Sequence, residues 1–395
     1  MKTIKQIIAV TLLNIRNLPQ RFASSAVAVV GVGAVVLVFA GVLSMASGLE
    51  KTMVAAGSDN TAVILRSGAT SELNSGFGND QVQIVANAPG VLKNGDQPVV
   101  SAELYVLTDV KKRSNDSDAS VPFRGVQEGA FDVRDNIRIS DGRMFEPGKN
   151  ELIVGRAAQS EFAGLDVGST IRFGQIDWSV VGVFDAGGSV SESELWTDVR
   201  LLQNAYRRGN SFQSIRVKLE SEDSIDVLRD ALIEDPRIEP DVMTEREYYS
   251  SQSQGLVQFI RTIGYPLTIL MAIGAIFGAL NSMYSSVSVR GKEIATLRAL
   301  GFGPTAILFS TVVESVLLAL IGGALGGLIA YLVFNGFQAS TLNGASFSQV
   351  VFNFAVTPEL LGQGLKAALV IGIVGGLFPA IRAARLPVAQ ALREL

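Results

Sequence analysis

Four long apolar segments constrain this chain more than any other feature of its sequence. They cover about 22–49, 261–289, 304–334 and 365–381, and each is long enough to form a helix that crosses a bilayer. The long segment 50–258, which has a mixed composition, separates the first from the second. The sequence therefore predicts an α-helical membrane protein with four transmembrane helices plus a large α+β extracytoplasmic domain inserted between helices 1 and 2.

The segment before the first span, 1–21, has the pattern of a helix that lies in the membrane interface. Its apolar residues recur every three or four positions. Its basic residues are Lys2, Lys5, Arg16 and Arg21. We expect Pro19 to end this helix. The apolar segment that follows is longer than the 7–15 or so residues of a signal peptide, which indicates an uncleaved anchor.

The inserted segment 50–258 has the alternating pattern of short strands, interrupted by turn residues and a few helices. A β-rich subdomain is expected at about 121–185, inserted into the rest of the domain. The sequence SESEL at Ser191–Leu195 has the composition of a surface turn. The segment 335–364 is expected to be a periplasmic loop between the last two spans.

The distribution of charge predicts the orientation in the membrane. Positions 50–255 hold 33 acidic and 21 basic residues, whereas the remainder of the chain holds 4 acidic and 12 basic residues. Basic segments favour the cytosolic side of a membrane. We therefore expect a multi-pass protein of the bacterial inner (plasma) membrane, with both termini cytoplasmic and 50–258 periplasmic. The segment 290–303 and the tail 382–395 are expected in the cytosol.

The chain contains no cysteine and no histidine. Disulfides and thiolate chemistry are thereby excluded, and the commonest general base and zinc ligand are missing. We predict no catalytic residue, no metal site and no nucleic-acid partner. A membrane enzyme with a Ser–Lys or paired-carboxylate site is the alternative.

The segment 290–303, between the second and third spans, has the pattern of a short amphipathic helix. Ile294, Leu297 and Leu300 recur at helical spacing and are expected to form one apolar face. Charged residues on the same stretch are Arg290, Lys292, Glu293 and Arg298. Gly301 is expected to stop the helix, and Pro304 to open the next one. Such a helix can be bound by a cytosolic partner. The alternative interpretation is a solvated loop with one helical turn.

Two features stand out within the predicted third span. Glu314 lies about 15 Å along the helix axis from its start, where a carboxylate is costly and is either functional or paired. A structural or coupling role and a hydrogen-bonded packing role both remain open. A proton relay is disfavoured, because the spans offer it no ionisable partner. The glycines of GGALGGLIA at 322–330 predict close helix packing.

Several stretches resemble the permease subunits of the MacB/FtsX-type ABC transporters. RGKEIATLRALGFGP at Arg290–Pro304 resembles the coupling helix of that family, and Glu314 matches an acidic position in its third span. The tail with Arg382, Arg385 and Pro387 is similar to the family's C-terminal signature. RISDGRMFEPGKNELIVG and WSVVGVFD resemble parts of its periplasmic core domain.

The resemblance implies a mechanotransmission function. A separate cytosolic ATPase hydrolyses ATP with Mg²⁺, and its motion changes the conformation of the periplasmic domain, which drives export or extraction of a substrate. The residues implied to contact the ATPase are Arg290, Lys292, Glu293, Ile294, Leu297, Arg298, Leu300 and Gly301. This chain would be a non-catalytic subunit that binds no cofactor itself.

The resemblance also implies further partners. These are a second permease copy, either the same chain or a paralogue, a periplasmic adaptor and an outer-membrane channel, besides the lipid bilayer around the spans. MacB proteins carry a fused ATPase, but no GxxxxGK[ST] motif occurs here, so a separate ATPase chain is expected. The alternative is an FtsX-like transmembrane regulator that controls a periplasmic cell-wall hydrolase or a signal without transport.

Overall fold

The computed structural model of the protein describes residues 2–17, 22–344 and 346–387. The chain divides into two compact units. A helical unit consists of Met1–Ser47, Phe259–Phe337 and Phe354–Leu395, and a sheet unit consists of Gly48–Gln258 and Gln338–Asn353. The predicted break at Pro19, Arg21 and the tail beyond Pro387 lie outside the described residues.

The described residues form eleven α-helices, some of them short. They are α1 (Lys2–Asn17), α2 (Phe22–Ala56), α3 (Asn79–Ala86), α4 (Ala130–Val133), α5 (Arg156–Glu161), α6 (Val199–Ala205), α7 (Ser224–Ile233), α8 (Glu245–Val289), α9 (Gly291–Ala299), α10 (Pro304–Phe334) and α11 (Pro358–Ala384). Two 3₁₀ turns lie at Glu72–Asn74 and Val190–Ser193.

The strands lie in the sheet unit. They are β1 (Thr61–Arg66), β2 (Lys93–Asn94), β3 (Gln97–Pro98), β4 (Val100–Lys111), β5 (Asp118–Val126), β6 (Arg138–Gly142), β7 (Glu151–Gly155), β8 (Thr170–Phe173), β9 (Ile176–Asp185), β10 (Leu195–Asp198), β11 (Ser214–Lys218), β12 (Pro240–Thr244), β13 (Gln338–Leu342) and β14 (Gln349–Asn353).

Four helices, α2, α8, α10 and α11, are long and apolar enough to cross a membrane. This confirms the predicted fold class of four spans with a large domain between the first two. The helices are longer than the apolar segments, however, since α2 continues to Ala56 and α8 begins at Glu245. A helix continues for as long as its backbone hydrogen bonds are made, whether or not its side chains are apolar.

Small residues bring the helices of the helical unit close together, as the glycine pattern predicts. A Cβ atom added to Gly326 on α10 would lie 2.1 Å from the carbonyl oxygen of Gly33 on α2. About three turns earlier on α10, Ser315 Oγ donates to the Gly372 carbonyl of α11 at 2.8 Å. Such contacts between backbones require glycine, since any side chain would separate the helices.

The sheet unit contains one ten-stranded sheet in the order β12-β1-β11-β4-β5-β10-β7-β9-β6, with β8 paired to β9. Strand β4 links its two halves: residues 100–103 pair with β11, and 104–111 pair with β5. The β-rich piece expected at 121–185 is therefore part of a continuous sheet and not a separate inserted subdomain. The reason is that one long strand serves as a neighbour to both halves.

The predicted loop 335–364 contains a β-hairpin, β13–β14, that belongs to the sheet unit. Val351 of β14 lies in the main hydrophobic core of that unit. The backbone N–H of Val351 donates to Ser193 Oγ at 3.0 Å, and Lys112 Nζ donates to Ser340 Oγ at 2.7 Å. The segment between the last two spans therefore completes the large domain.

The SESEL segment is buried and is not the surface turn that its composition suggests. Ser191 to Glu194 are each at most 6% exposed. Both carboxylate oxygens of Glu194 accept hydrogen bonds from Arg124 at 2.7 Å. A buried charge is tolerated when it is paired in this way, and the partner here comes from β5, far away in the sequence.

Candidate coupling site

Helix α9 lies between the candidate spans α8 and α10, as the sequence predicts. Gly301 follows it with φ +94°, and its N–H donates to the Arg298 carbonyl at 3.1 Å. A positive φ favours glycine, which explains why the helix ends here. Pro304 occupies the first position of α10, where its missing N–H costs nothing. Both predicted boundaries are confirmed.

The predicted apolar face of α9 is wrong as a single outward surface. Ile294 is 4% exposed and packs with Val287, Ile307 and Ala383 inside the helical unit. Leu300, by contrast, is 73% exposed. With about 100° of rotation per residue, six positions separate these side chains by roughly 120° around the axis. Ile294 therefore anchors α9 from within, and Leu300 faces outward.

The remaining predicted contact residues divide in the same way. Lys292 and Glu293 are exposed, whereas Leu297 and Arg298 are half-buried. Arg298 Nη1 donates to the backbone carbonyls of Ala384 at 3.1 Å and Leu386 at 2.8 Å. Arg298 thus holds the end of α11, where carbonyl groups have no partner within the helix.

Arg290 is buried, although the sequence places it among the contacts of a partner. It caps the start of α9 and is 4% exposed. Its Nη1 donates to Glu314 Oε2 on α10 at 2.7 Å, and its Nη2 donates to Asn14 Oδ1 on α1. Its Nε lies 3.4 Å from Glu293 Oε2. One guanidinium therefore connects α1, α9 and α10.

This geometry gives Glu314 the ionisable partner that the sequence does not reveal. Glu314 is 3% exposed, and Arg290 lies at the adjoining end of the spans. Arg290 at the start of α9 therefore contacts a carboxylate that lies about ten residues into α10. A buried carboxylate is stable when it is paired and hydrogen-bonded.

Polar residues of α1 were missed by the sequence reasoning. Asn14 meets Arg290, and Gln6 Nε2 donates to the Gly301 carbonyl at 3.3 Å. They lie about two helical turns apart, so both can face the same neighbour. Their amide side chains in a largely apolar and basic helix are the signal that the sequence offers.

The tail residues are exposed on or just beyond α11. Arg382 lies over the ring of Tyr284 at 5.6 Å, and the N–H of Arg385 donates to the Ile381 carbonyl at 3.2 Å. Pro387 is also exposed. Among the described residues, no group of three or more acidic side chains is arranged to hold a metal ion.

Two protein-family descriptions match the chain. A "MacB-like periplasmic core domain" matches residues 25–235, and an "FtsX-like permease C-terminal" domain matches residues 267–388. The second match includes α9, α10 and the described tail. Together the two matches cover both the sheet unit and the helices around the candidate coupling site.

Individual proteins resemble the chain at low identity. The macrolide export ATP-binding/permease protein MacB 1/2 of Paracoccus denitrificans is 27% identical over 321 residues, which are 75% of this chain and 45% of that protein. The ABC transporter permease YknZ of Bacillus subtilis is 24% identical over 304 residues, which are 72% of each chain. The chain thus spans about half the length of the MacB relative.

A solved structure is also similar to part of the chain. The periplasmic region of MacB from Actinobacillus actinomycetemcomitans aligns with a TM-score of 0.36 and 14% identity, covering 49% of this chain and 92% of that one. The two domain matches, which account for most of the residues described above, decide the classification. The chain therefore belongs to the MacB/FtsX-type family of ABC transporter permeases.

Proposed function

We propose that this chain is a permease subunit that couples ATP hydrolysis by a cytosolic ATPase to a conformational change of its periplasmic sheet unit, and so drives export or extraction of a substrate. The observation that carries the proposal is the surface of α9. Lys292, Glu293 and Leu300 are exposed there, while Ile294 and Arg290 fix the helix from inside. A short helix that is rigidly held and exposed on one side is suited to receive force from a partner.

The charge distribution supports the orientation. The described residues of α1, of the segment 290–303 and of 382–387 carry eight of the twelve basic side chains outside 50–255, which favours the cytosol for all three. In this orientation we infer that residues 50–258 are periplasmic. A partner that binds α9 from the cytosol can therefore act on the spans without crossing the membrane.

The ATPase of this proposal lies outside these 395 residues, since the sequence contains no GxxxxGK[ST] motif. ATP and Mg²⁺ bind to that ATPase, and this chain takes the role of a non-catalytic subunit. We include a second permease copy, a periplasmic adaptor and an outer-membrane channel as further partners, in line with the resemblance to MacB/FtsX-type permeases.

The proposal is tested by purifying the tagged chain from native membranes and identifying the bound proteins by mass spectrometry. Leu300→Asp should weaken ATPase binding roughly 10- to 100-fold, because a leucine that becomes buried on binding contributes about 1.5–3 kcal/mol. Binding of the ATPase to the purified variants measures the effect.

Ile233→Asp is the matched control. Ile233 is 62% exposed on α7 of the sheet unit, so the same substitution there should leave ATPase binding unchanged. Equal binding by Leu300→Asp and the wild type would contradict docking on α9. Recovery of a cell-wall hydrolase with the ATPase would replace export by regulation, and recovery of no ATPase would contradict the proposed function as a whole.

A further inference from the structure

Seven charged side chains lie buried together in the sheet unit, and none of them belongs to the candidate coupling site. Each exposes 5% of its surface or less. They are the arginines Arg124, Arg134 and Arg216 and the glutamates Glu72, Glu103, Glu194 and Glu245. We call this group the ionic cluster. It contains one carboxylate more than it contains guanidinium groups.

Glu103 lies at the centre of the ionic cluster. It accepts hydrogen bonds from Arg134 Nη1 and Nη2 at 2.7 and 2.8 Å, from Arg124 Nη1 at 2.8 Å and from Arg216 Nε at 3.2 Å. Burial alone would raise its pKa, but the three guanidinium groups outweigh burial and lower the pKa to about 2. Glu103 therefore stays ionised at any pH above about 3.

Glu72 and Glu194 also accept several short hydrogen bonds each, most of them from Arg124. Glu72 accepts from Arg124 Nη1 and Nη2, both at 2.9 Å, and from Ser214 Oγ at 2.6 Å. Burial opposes ionisation of Glu72, yet the nearby guanidinium groups hold its pKa well below the usual range. Glu194 accepts from Arg124 Nε and Nη2 and from Trp196 Nε1, all at 2.7 Å. Hydrogen bonds from a guanidinium to a carboxylate are among the stronger ones in proteins, so they fix the position of the Glu194 side chain.

The guanidinium groups are fixed in turn by aromatic rings. Each lies over a ring of the sheet unit, at a distance from the ring centre that permits a cation–π contact. The pairs are Arg124 over Tyr105 at 4.8 Å, Arg134 over Trp196 at 4.9 Å and Arg216 over Tyr249 at 5.7 Å. The rings therefore help to define the positions of the three cations.

Glu245 accepts fewer hydrogen bonds from guanidinium groups than the other three carboxylates do. Arg216 Nη1 donates to Glu245 Oε1 at 2.6 Å, and Arg134 Nε lies 3.9 Å away. The backbone N–H of Ser58 is its other hydrogen-bond donor among the described contacts. Arg216 is already shared with Glu72 and Glu103. Glu245 thus receives only a fraction of the positive charge that neutralises the other three carboxylates.

Glu245 also borders a cavity that opens to the surface. It lines a surface cavity of about 350 Å³, together with Arg134. The other charged groups of this cavity neutralise one another in two pairs, Lys218 with Asp135 and Arg246 with Asp59, and Glu222 stands exposed at the rim. The charges that face Glu245 are therefore Arg216 from β11, Arg134 from the segment after α4 and Glu103 from β4. Arg134 Nε makes no hydrogen bond and lies 3.9 Å from Glu245, but three guanidinium groups still face four carboxylates.

We propose that the ionic cluster carries one proton, held on Glu245, and that loss of this proton releases the first turns of α8 from the sheet unit. Glu245 is the first residue of α8, and the helix belongs to the sheet unit as far as Gln258. An uncompensated buried charge costs several kcal/mol. Moving the first turn of α8 toward the cavity hydrates the ionised carboxylate and leaves three guanidinium groups matched with three carboxylates.

Hydrogen–deuterium exchange of the full chain in lipid nanodiscs tests this proposal. The amide protection of Glu245–Ser253, corrected for the intrinsic pH dependence of exchange, should fall as the pH rises above the ordinary pKa range of a glutamate carboxyl. The fall should be at most about tenfold per pH unit, the limit for release of one proton in each opening event. In Glu245→Gln, protection should be independent of pH and equal to the highest protection of the wild type.

Glu222→Gln is the matched control, because Glu222 lines the same cavity but is exposed. This variant should keep the pH dependence of the wild type. A pH dependence that survives in Glu245→Gln would place the proton elsewhere and overturn the proposal, as would wild-type protection that does not change with pH. The wild-type series decides the question even when the Glu245 variant fails to fold. No ATPase is required, so the result is independent of the proposed function.

Discussion

At the scale of single residues, Arg290 and Glu314 have a structural role that the sequence does not predict. In sequence, Arg290 is one of several basic residues of a cytosolic segment, and Glu314 is an isolated carboxylate in an apolar span. In the structure their side chains form a buried ion pair at 2.7 Å that also includes Asn14. The pair connects the start of α9 to α10. Arg290 is therefore a positioning residue for α9 and not part of its exposed surface.

Removing one member of this pair should destabilise the helical unit. Glu314→Gln leaves the guanidinium of Arg290 buried without its carboxylate, and we expect the free energy of unfolding to fall by about 3–5 kcal/mol. Replacing both partners, by Arg290→Met with Glu314→Leu, should recover much of this loss, because no buried charge then remains. Thermal unfolding of the purified chain in detergent measures both effects.

Glu293→Gln is the control for that measurement. The Glu293 side chain is 48% exposed, and an exposed ion pair contributes less than about 1 kcal/mol. If Glu314→Gln unfolds at the same temperature as Glu293→Gln, the Arg290–Glu314 pair has no structural role.

At the scale of elements, the helices of the helical unit are placed by glycine as much as by large apolar side chains. Gly322 and Gly326 of α10 approach the backbone of α2 so closely that an added Cβ would lie 2.4 Å from the Val29 carbonyl oxygen or 2.1 Å from that of Gly33. The apolar side chains of a span are as well solvated by lipid as by a neighbouring helix. Removal of apolar surface from water therefore plays little part in pairing these helices. Close contact between backbones decides which faces meet.

A larger residue at this contact should separate α2 from α10. We expect Gly326→Val to cost about 1–3 kcal/mol of stability, the range found when a packed interior receives extra atoms. Gly274→Val is the matched control, because Gly274 of α8 has open space around its Cβ position. Thermal unfolding of the two variants in detergent compares them. Equal effects would show that the loss comes from the change of residue type and not from the helix contact.

At the scale of the whole molecule, each unit is assembled from segments that are far apart in sequence. The hairpin β13–β14 of the sheet unit comes from the segment between the last two spans. In sequence it therefore follows most of the helical unit. The hairpin contributes Val351, which is 2% exposed, to the core of the sheet unit. The large domain is therefore incomplete when only the residues between the first two spans are considered.

A charge placed in the hairpin should consequently destabilise the large domain. Val351→Asp puts an unpaired carboxylate into the core, and we expect a loss of about 3–5 kcal/mol, the scale of an uncompensated buried charge. Leu342→Asp on β13 is the control, since Leu342 is 48% exposed. Hydrogen–deuterium exchange in β4 and β11 reports on the core of the domain. Unchanged protection there in Val351→Asp would contradict the assignment of the hairpin to this unit.

The sequence alone determined the number of spans, the inserted domain, the end of α9, the start of α10 and the family resemblance. These properties depend on neighbours along the chain: the length of an apolar run, a glycine that accepts positive φ, or a proline that opens a helix. Only the tertiary structure decided that Ile294 faces inward, that Arg290 meets Glu314, and that Glu194 of the polar SESEL segment is buried against Arg124. The physical reason is that burial and charge pairing depend on which elements pack together. Arg124 and Glu194 are 70 positions apart, and the sequence around neither residue indicates their contact.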